Sequence, residues 1–130
     1  MKSKRHKECL IDILYKIIQY PEIEEIYLYG SCVRSQEKYN SDIDLFCCLN
    51  IPYKNEYGRL IRQINLTDKP LELPDVDFNY LFNEYKFKDI LSFNKSYYKH
   101  VYEESKLLWT RKNGFTDYFK QIEKEINNGL

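Results

Sequence analysis

Apolar side chains recur along the chain at two different spacings, which divide it into predicted helices and strands. Near the N-terminus they stand three or four residues apart, at Leu10, Ile13, Leu14, Ile17 and Ile18. This spacing predicts an amphipathic helix that ends before Pro21. The following segment, 24–29, is rich in β-forming residues and stops at Gly30. It predicts a short strand that runs into a tight turn.

The middle of the chain continues the alternation of strand and helix. A polar loop at 36–41 is followed by an apolar run at 42–49, which predicts a second, well-buried strand. Helical spacing resumes over 55–66 and stops at the break Asp68-Lys69-Pro70. Residues 75–81 alternate between two faces and predict a third strand. The side chains on its two faces are Val76, Phe78 and Tyr80 on one, and Asp77, Asn79 and Leu81 on the other.

The C-terminal third is aromatic and helical in character. Helical spacing over 87–101 leads to a turn near Glu104-Ser105 and a short apolar segment at 107–109. Gly114 then separates a final helix, whose predicted apolar residues are Phe115, Tyr118, Phe119, Ile122 and Ile126. The order helix, strand, strand, helix, strand, helices predicts an α/β or α+β fold, with a small mixed β-sheet flanked by helices.

Composition narrows the class of protein. The 130 residues contain no repeat and no linker, so we expect one domain over 1–130. Because 20 basic residues balance 20 acidic ones, general binding to nucleic acid is not expected. No apolar run approaches the roughly 20 residues of a membrane helix, and the N-terminus is polar, so we expect a cytoplasmic protein. The four cysteines lack metal-site spacing and are expected to be small buried residues.

The turn after the first strand has residues that can bind phosphate. Gly30 lets the backbone turn sharply and exposes amide N–H groups that no side chain shields. Ser31 adds a hydroxyl donor, and a short helix beginning at 31–35 would add the positive end of its dipole. Since a glycine-serine pair also marks ordinary turns, the prediction needs support from the next segment of the chain.

Two aspartates stand at the start of the second predicted strand. Asp42 and Asp44 are two residues apart, so their carboxylates project from the same face, about 6 to 7 Å apart along the backbone. Such a pair can converge on two Mg²⁺ ions, one activating an acceptor hydroxyl and the other binding a nucleoside triphosphate such as ATP. The alternative is that both aspartates simply end a strand at the surface and stay hydrated.

Two segments together resemble the glycine-serine and Asp-x-Asp signature of the DNA polymerase β-like nucleotidyltransferase superfamily, above all its minimal nucleotidyltransferases. The segments are Gly30-Ser31-Cys32-Val33-Arg34-Ser35 and Ser41-Asp42-Ile43-Asp44-Leu45. The resemblance implies the fold of that superfamily and a third carboxylate from a later strand, completing the site formed by Asp42 and Asp44. Asp77 is preferred because it lies opposite the apolar residues of its strand, and Asp75, directly after Pro74, stays open.

The resemblance also implies a role for residues of the turn. Arg34 matches the second arginine of the family's glycine-serine-arginine-alanine-arginine-glycine run, which implies that it neutralises phosphate charge together with Gly30 and Ser31. Cys32 replaces the first arginine and Ser35 replaces the glycine. The structural alternative for Arg34 is a surface ion pair with Glu37.

The reaction implied by the resemblance is transfer of AMP from ATP to a hydroxyl acceptor, with Mg²⁺ held by Asp42, Asp44 and Asp77. Small members of the family include antitoxins that adenylylate a tyrosine on a partner HEPN-domain toxin, so a HEPN toxin is the first expected partner. One alternative is an antibiotic nucleotidyltransferase, although little chain remains after the third strand to hold a drug. The other is a catalytically silent antitoxin that binds its toxin by contact alone.

Overall fold

Four α-helices, one 3-10 helix and five strands form in the residues that the computed structural model describes, which are 1–51, 57–66, 74–82, 85–93 and 95–129. The α-helices are α1 (Lys4–Ile17), α2 (Tyr57–Asn65), α3 (Tyr97–Glu104) and α4 (Asp117–Asn127). The 3-10 helix, Phe87–Ser92, precedes α3. The strands are β1 (Ile23–Tyr29), β2 (Ile43–Leu49), β3 (Val76–Leu81), β4 (Lys106–Thr110) and β5 (Gly114–Phe115).

The five strands form one mixed sheet in the order β3-β2-β1-β4-β5. β1 is antiparallel to both β2 and β4, β3 joins β2 in parallel, and β5 pairs antiparallel with β4. A mixed sheet flanked by helices confirms the predicted fold class. The three predicted strands and the end of the second helix lie within about two residues of their predicted bounds, as is usual for element ends, and α1 ends before Pro21 as predicted but begins at Lys4, ahead of the first apolar residue used to predict it. The break predicted at Asp68-Lys69-Pro70 lies outside the described residues, as do 55–56 of the second helix.

The sheet separates two hydrophobic clusters, as the alternation in β2 predicts. Ile43, Leu45 and Cys47 face the first cluster, which also contains the apolar side of α1 and Phe119 of α4. Phe46 and Cys48 face the second, which is closed by the 3-10 helix and α3 through Phe87, Ile90 and Val101. Because Asp44 shares the spacing of Phe46 and Cys48, its carboxylate projects on the side of the second cluster.

The final helix does not include Phe115, which corrects the prediction from helical spacing. α4 begins at Asp117 because Thr116 caps it, with its hydroxyl oxygen accepting from the Phe119 amide at 3.5 Å. Phe115 lies in β5 opposite Trp109. Its ring still stacks on that of Phe119, with centroids 4.5 Å apart, so the apolar contact implied by the spacing is kept.

Arg111, just after β4, ties the sheet to the end of α1. Its Nη2 donates to the carbonyls of Ile18, Tyr20 and Ile23 at 3.1, 2.7 and 3.0 Å. Its guanidinium also lies 4.5 Å from the centre of the Trp109 ring. The permanently charged guanidinium thereby joins the C-terminal end of α1, the turn that follows it and the first residue of β1.

The four cysteines are buried, as expected. Burial raises the pKa of the Cys32 and Cys48 thiols to about 12, and it also raises the pKa of Cys47. Thiols held neutral in this way are poor nucleophiles. Separately, none of the helices in the described ranges is both long enough and apolar enough to span a membrane.

Candidate active site

β1 ends in a tight turn that Gly30 makes possible. Its φ is +81°, and a Cβ added there would lie 2.2 Å from Oδ2 of Asp44. Glycine therefore permits both the backbone conformation and the close approach of the carboxylate. The Gly30 carbonyl accepts from the amides of Val33 and Arg34 at 3.1 and 3.4 Å. Residues 31–35 consequently form a turn, so the condition for a helix dipole at this position is not met.

The two serines of this turn have different surroundings. Ser31 is partly buried, and its carbonyl accepts from the Gln36 amide at 2.9 Å, which closes the turn. Ser35 has a φ of 54° and thus lies in the left-handed region that disfavours side chains. The Ser35 Oγ accepts from the N-terminal ammonium of Met1 at 3.2 Å. The turn keeps a conformation that glycine adopts more easily, although a serine is present.

The register of the sheet brings the predicted aspartates together. Asp44 is paired with Tyr29 across the antiparallel β1–β2 ladder and with Asp77 across the parallel β2–β3 ladder. Directly paired residues on neighbouring strands point to the same face, so these three side chains share one. Asp42 lies one residue before β2 and is exposed. An acidic edge therefore forms beside the Gly30 turn.

The two candidates for the third carboxylate differ in position. Asp77 is inside β3 and in register with Asp44, and its charge contributes to the raised pKa of that residue. Asp75 lies before β3, where its backbone carbonyl accepts from the Ile43 amide at 2.9 Å. The geometry favours Asp77, as the sequence did, while its role stays a prediction.

Asp44 is the aspartate whose proton affinity changes most clearly. Partial burial, followed by the negative charges of Asp77 and Asp42, raises its pKa to about 6, while Arg34 acts in the opposite direction. Its charged form is therefore disfavoured unless a cation compensates it. Hard carboxylate oxygens suit Mg²⁺, so the residues fit the implied metal in donor chemistry and charge. Within the described ranges, no three Asp, Glu, His or Cys side chains converge into a ready metal cluster.

Tyr29 and Asn79 complete the acidic face, and sequence reasoning missed both as site residues. The Asn79 side-chain amide donates to the Tyr29 hydroxyl. Burial, and then the charges of Asp44 and Asp77, raises the pKa of Tyr29, so its hydroxyl stays protonated. Asn79 comes two residues after Asp77 on the same face of β3, a signal that gains meaning once the strand register is known.

Arg34 does not pair with Glu37, so the alternative interpretation of this arginine is wrong. Its Nη1 lies 2.6 Å from Oε2 of Glu104, the last residue of α3. The other oxygen of Glu104 accepts from the Gly30 N–H at 2.8 Å. Glu37 is unsuitable as a surface partner because it is turned inward and only 3% exposed. The predicted phosphate donors thus contact an acidic side chain that sequence reasoning did not single out.

The N-terminal segment holds the loop between the turn and the acidic strand. The Glu37 carboxylate accepts from two backbone amides at the start of α1, at 3.1 and 3.5 Å. The buried His6 ring contacts the Ser3 hydroxyl at 2.7 Å and the Ser41 carbonyl at 2.8 Å. Since Ser41 directly precedes Asp42, this network fixes the entrance to β2.

Comparison with known proteins adds to this geometry. Residues 11–114 match the family described as polymerase beta, nucleotidyltransferase. The chain belongs to this nucleotidyltransferase family. The matched region contains the Gly30 turn, the acidic edge and Glu104, and membership supports transferase activity. A search of curated proteins gave no match.

Three solved structures are similar to this chain at low sequence identity. A protein of Sulfolobus solfataricus assigned as a nucleotidyltransferase is 19% identical, with a TM-score of 0.54 and 87% of each chain covered. A toxin-antitoxin structure with AMP-PNP is 21% identical, with a TM-score of 0.46, covering 95% of this chain and 86% of that one. A spectinomycin adenyltransferase from Enterococcus faecialis, with ATP and spectinomycin, is 19% identical, with a TM-score of 0.41 and coverages of 86% and 57%. At 19% identity, the similarity to the Sulfolobus solfataricus protein shows the fold alone.

Proposed function

We propose that this protein transfers AMP from ATP to a hydroxyl group and releases pyrophosphate. The observation that carries the proposal is the register that sets Asp44 beside Asp77, next to the Gly30 turn. Acidic side chains on adjacent strands, beside backbone donors and an arginine, match what nucleotidyl transfer requires: negative charge to hold metal ions and positive charge to bind phosphate.

The turn binds the triphosphate in this proposal. The Gly30 N–H and the Ser31 hydroxyl donate to phosphate oxygens, and the Arg34 guanidinium neutralises their charge. Arg34 is suited to this role because it lies near the acidic edge, where its charge already lowers the pKa of Asp44. The turn therefore positions the nucleotide, while the acidic edge carries the reaction.

The carboxylates of Asp42, Asp44 and Asp77 would hold Mg²⁺, two ions in the usual arrangement. Bound metal supplies Lewis acidity and stabilises the leaving pyrophosphate. The acceptor oxygen attacks the α-phosphorus, the bond from that phosphorus to the bridging oxygen breaks, and Asp77 takes the acceptor proton. Rate enhancement then comes from positioning and charge, without a covalent intermediate on the protein.

The acceptor we propose is a tyrosine of a partner HEPN-domain toxin, which would make this protein an antitoxin that acts by adenylylation. The support is the resemblance of the two motif segments to minimal nucleotidyltransferases. A toxin tyrosine brings its own surrounding surface to the site, so the transferase needs no separate substrate-binding domain. An antibiotic acceptor, in contrast, requires a pocket formed by the enzyme itself.

Mass spectrometry tests the activity and the acceptor together. The protein is incubated with ATP, Mg²⁺ and a candidate HEPN-domain toxin, and one AMP is expected on a toxin tyrosine. Asp44→Asn and Asp77→Asn should each reduce transfer by about 100-fold or more. Asp75→Asn is the matched control, because it removes a nearby carboxylate that lies outside the β2–β3 register.

The outcomes separate the remaining interpretations. Loss of transfer in Asp75→Asn, with transfer retained in Asp77→Asn, would exchange the roles of the two residues. Tight association with the toxin but no AMP on any protein would identify a silent antitoxin and refute the enzymatic proposal. Transfer to an aminoglycoside or lincosamide, with none to the toxin, would identify a drug-modifying enzyme.

A further inference from the structure

The Glu104 carboxylate occupies the donors that the proposed function assigns to phosphate. Oε1 accepts from the Gly30 N–H at 2.8 Å, and Oε2 lies 2.6 Å from Nη1 of Arg34. One carboxylate thus bridges a backbone amide at the end of β1 and a guanidinium in the adjoining turn. These contacts join groups that are 74 and 70 residues apart in the chain, so they depend on the packing of α3 against the turn.

The geometry is that of an anion site rather than of a surface ion pair. The Glu104 side chain is 21% exposed, less than half the 46% of Arg34. Each carboxylate oxygen has its own donor, one neutral and one charged, as two oxygens of a phosphate group would have. A backbone N–H has a single hydrogen, so Gly30 cannot fully donate to Glu104 and to a nucleotide at once.

We propose that Glu104 is a built-in anion of the phosphate-binding turn, which the triphosphate of an incoming nucleotide displaces. The proposal rests on the proposed function for the identity of the ligand, a nucleoside triphosphate. Glu104 lowers the affinity for that ligand because its contacts with Gly30 and Arg34 must break first.

Displacement has a consequence for α3. Glu104 ends this helix, whose other residues pack over the same sheet face: the Tyr98 ring lies 6.3 Å from that of Phe46, and Val101 is buried in the second cluster. Loss of the Glu104 contacts therefore releases the C-terminal end of α3 from the turn while its apolar side stays packed. Occupancy of the nucleotide site is in this way coupled to the mobility of the end of α3.

Calorimetric titration tests the competition directly, with Mg²⁺-ATP and inorganic tripolyphosphate as probes. Glu104→Gln keeps the shape of the side chain but removes its charge, and it should bind both probes about tenfold more tightly than the wild type. Glu103→Gln is the matched control, since it removes the same charge from the adjacent, exposed position and should leave affinity unchanged. Circular dichroism and thermal unfolding establish that each variant is folded.

Arg34 provides an internal check. If Glu104 acts by holding this arginine, the gain from Glu104→Gln should shrink when Arg34 is already replaced by alanine. Amide hydrogen exchange supplies a structural readout: saturating tripolyphosphate should protect Gly30 in the wild type and speed exchange at the end of α3. In Glu104→Gln, the end of α3 should exchange quickly without ligand.

The results distinguish this inference from the proposed function. A folded Glu104→Gln protein whose affinity stays within about twofold of the wild type, or falls, overturns the competition even if AMP transfer is observed. A tenfold gain for tripolyphosphate supports it even if no acceptor is ever adenylylated. If no variant binds either probe, the phosphate-binding turn and the built-in anion are both refuted.

Discussion

Replacing Asp44 with asparagine tests whether the acidic edge costs the protein stability. The pKa of Asp44 rises from its ordinary value of 3.8 to about 6, through burial first and then through Asp77 and Asp42. The folded protein therefore holds this proton more tightly than the unfolded chain does. The stabilisation that comes from protonating Asp44 is fully present below about pH 4 and is lost as the pH rises through about 6.

The magnitude can be worked from the shift and from exposure. Two pKa units correspond to roughly 3 kcal/mol, which is an upper limit. Because Asp44 is only partly buried, solvent screening reduces the expected effect to about 1 kcal/mol. For a protein of this size, that difference raises the melting temperature by about 4 °C. Asp44→Asn should thus be more stable than the wild type at neutral pH, although it removes a proposed catalytic group.

Thermal unfolding in metal-free buffer between about pH 4 and pH 8 provides the assay. The advantage of Asp44→Asn should be near zero at the acidic end, grow through about pH 5 to 6 and then level off. Glu103→Gln, at an exposed position on α3 and outside the β2–β3 ladder, should show no such profile. Added Mg²⁺ should stabilise the wild type more than Asp44→Asn. A difference that is independent of pH, or a less stable variant at pH 8, would refute the reasoning.

Three further predictions concern the stability of the fold and the burial of its cysteines. Gly30→Ala should lower the free energy of unfolding by about 2 kcal/mol or more in urea titrations, because alanine strains the turn and its Cβ meets Asp44; an unchanged midpoint would contradict the close approach. Arg111→Lys should cost about 1 to 2 kcal/mol in the same assay, since one ammonium cannot replace the fork that binds three carbonyls, and equal stability would show that charge alone suffices. The four cysteines should react with a thiol reagent only on unfolding, as absorbance reports, whereas rapid labelling of the native protein would contradict their burial.

Local features of the chain carried most of what the sequence could predict. Asp42 and Asp44 come soon after the Gly30 turn in sequence, so strand alternation and turn chemistry were enough to place them on one edge. The two faces of β2 were predictable for the same reason. β4 was missed because the short apolar segment at 107–109 has no period that separates strand from helix, and β5 was missed because Phe115 fits the helical spacing of the final helix.

Contacts made at a distance could not be predicted from spacing. Asn79 meets Tyr29 through the register of two ladders, and Glu104 meets Gly30 through the packing of α3. No periodicity encodes either pairing, since each depends on how separate elements dock. The same limit explains why Glu37 was the wrong partner for Arg34: nearness in sequence favoured it, but the chain turns its carboxylate toward the start of α1.

Ser35 is a departure from the family pattern whose structural effect can be measured. The family has glycine at this position, and here a serine adopts a φ of 54°. A side chain in that region costs about 1 kcal/mol, whereas glycine also increases the entropy of the unfolded chain. The contact of the Ser35 hydroxyl with the exposed N-terminus offsets little of this cost.

Ser35→Gly should therefore match or exceed the stability of the wild type, by up to about 0.5 kcal/mol in urea titrations. Ser35→Ala is the control, because it removes the same hydroxyl but keeps the Cβ, and it should be less stable than Ser35→Gly by about 1 kcal/mol. Equal stabilities of the two variants would mean that the backbone relaxes on its own. The left-handed conformation would then not explain why the family has glycine at this position. The shape of the turn would depend instead on the hydrogen bonds to the Gly30 carbonyl.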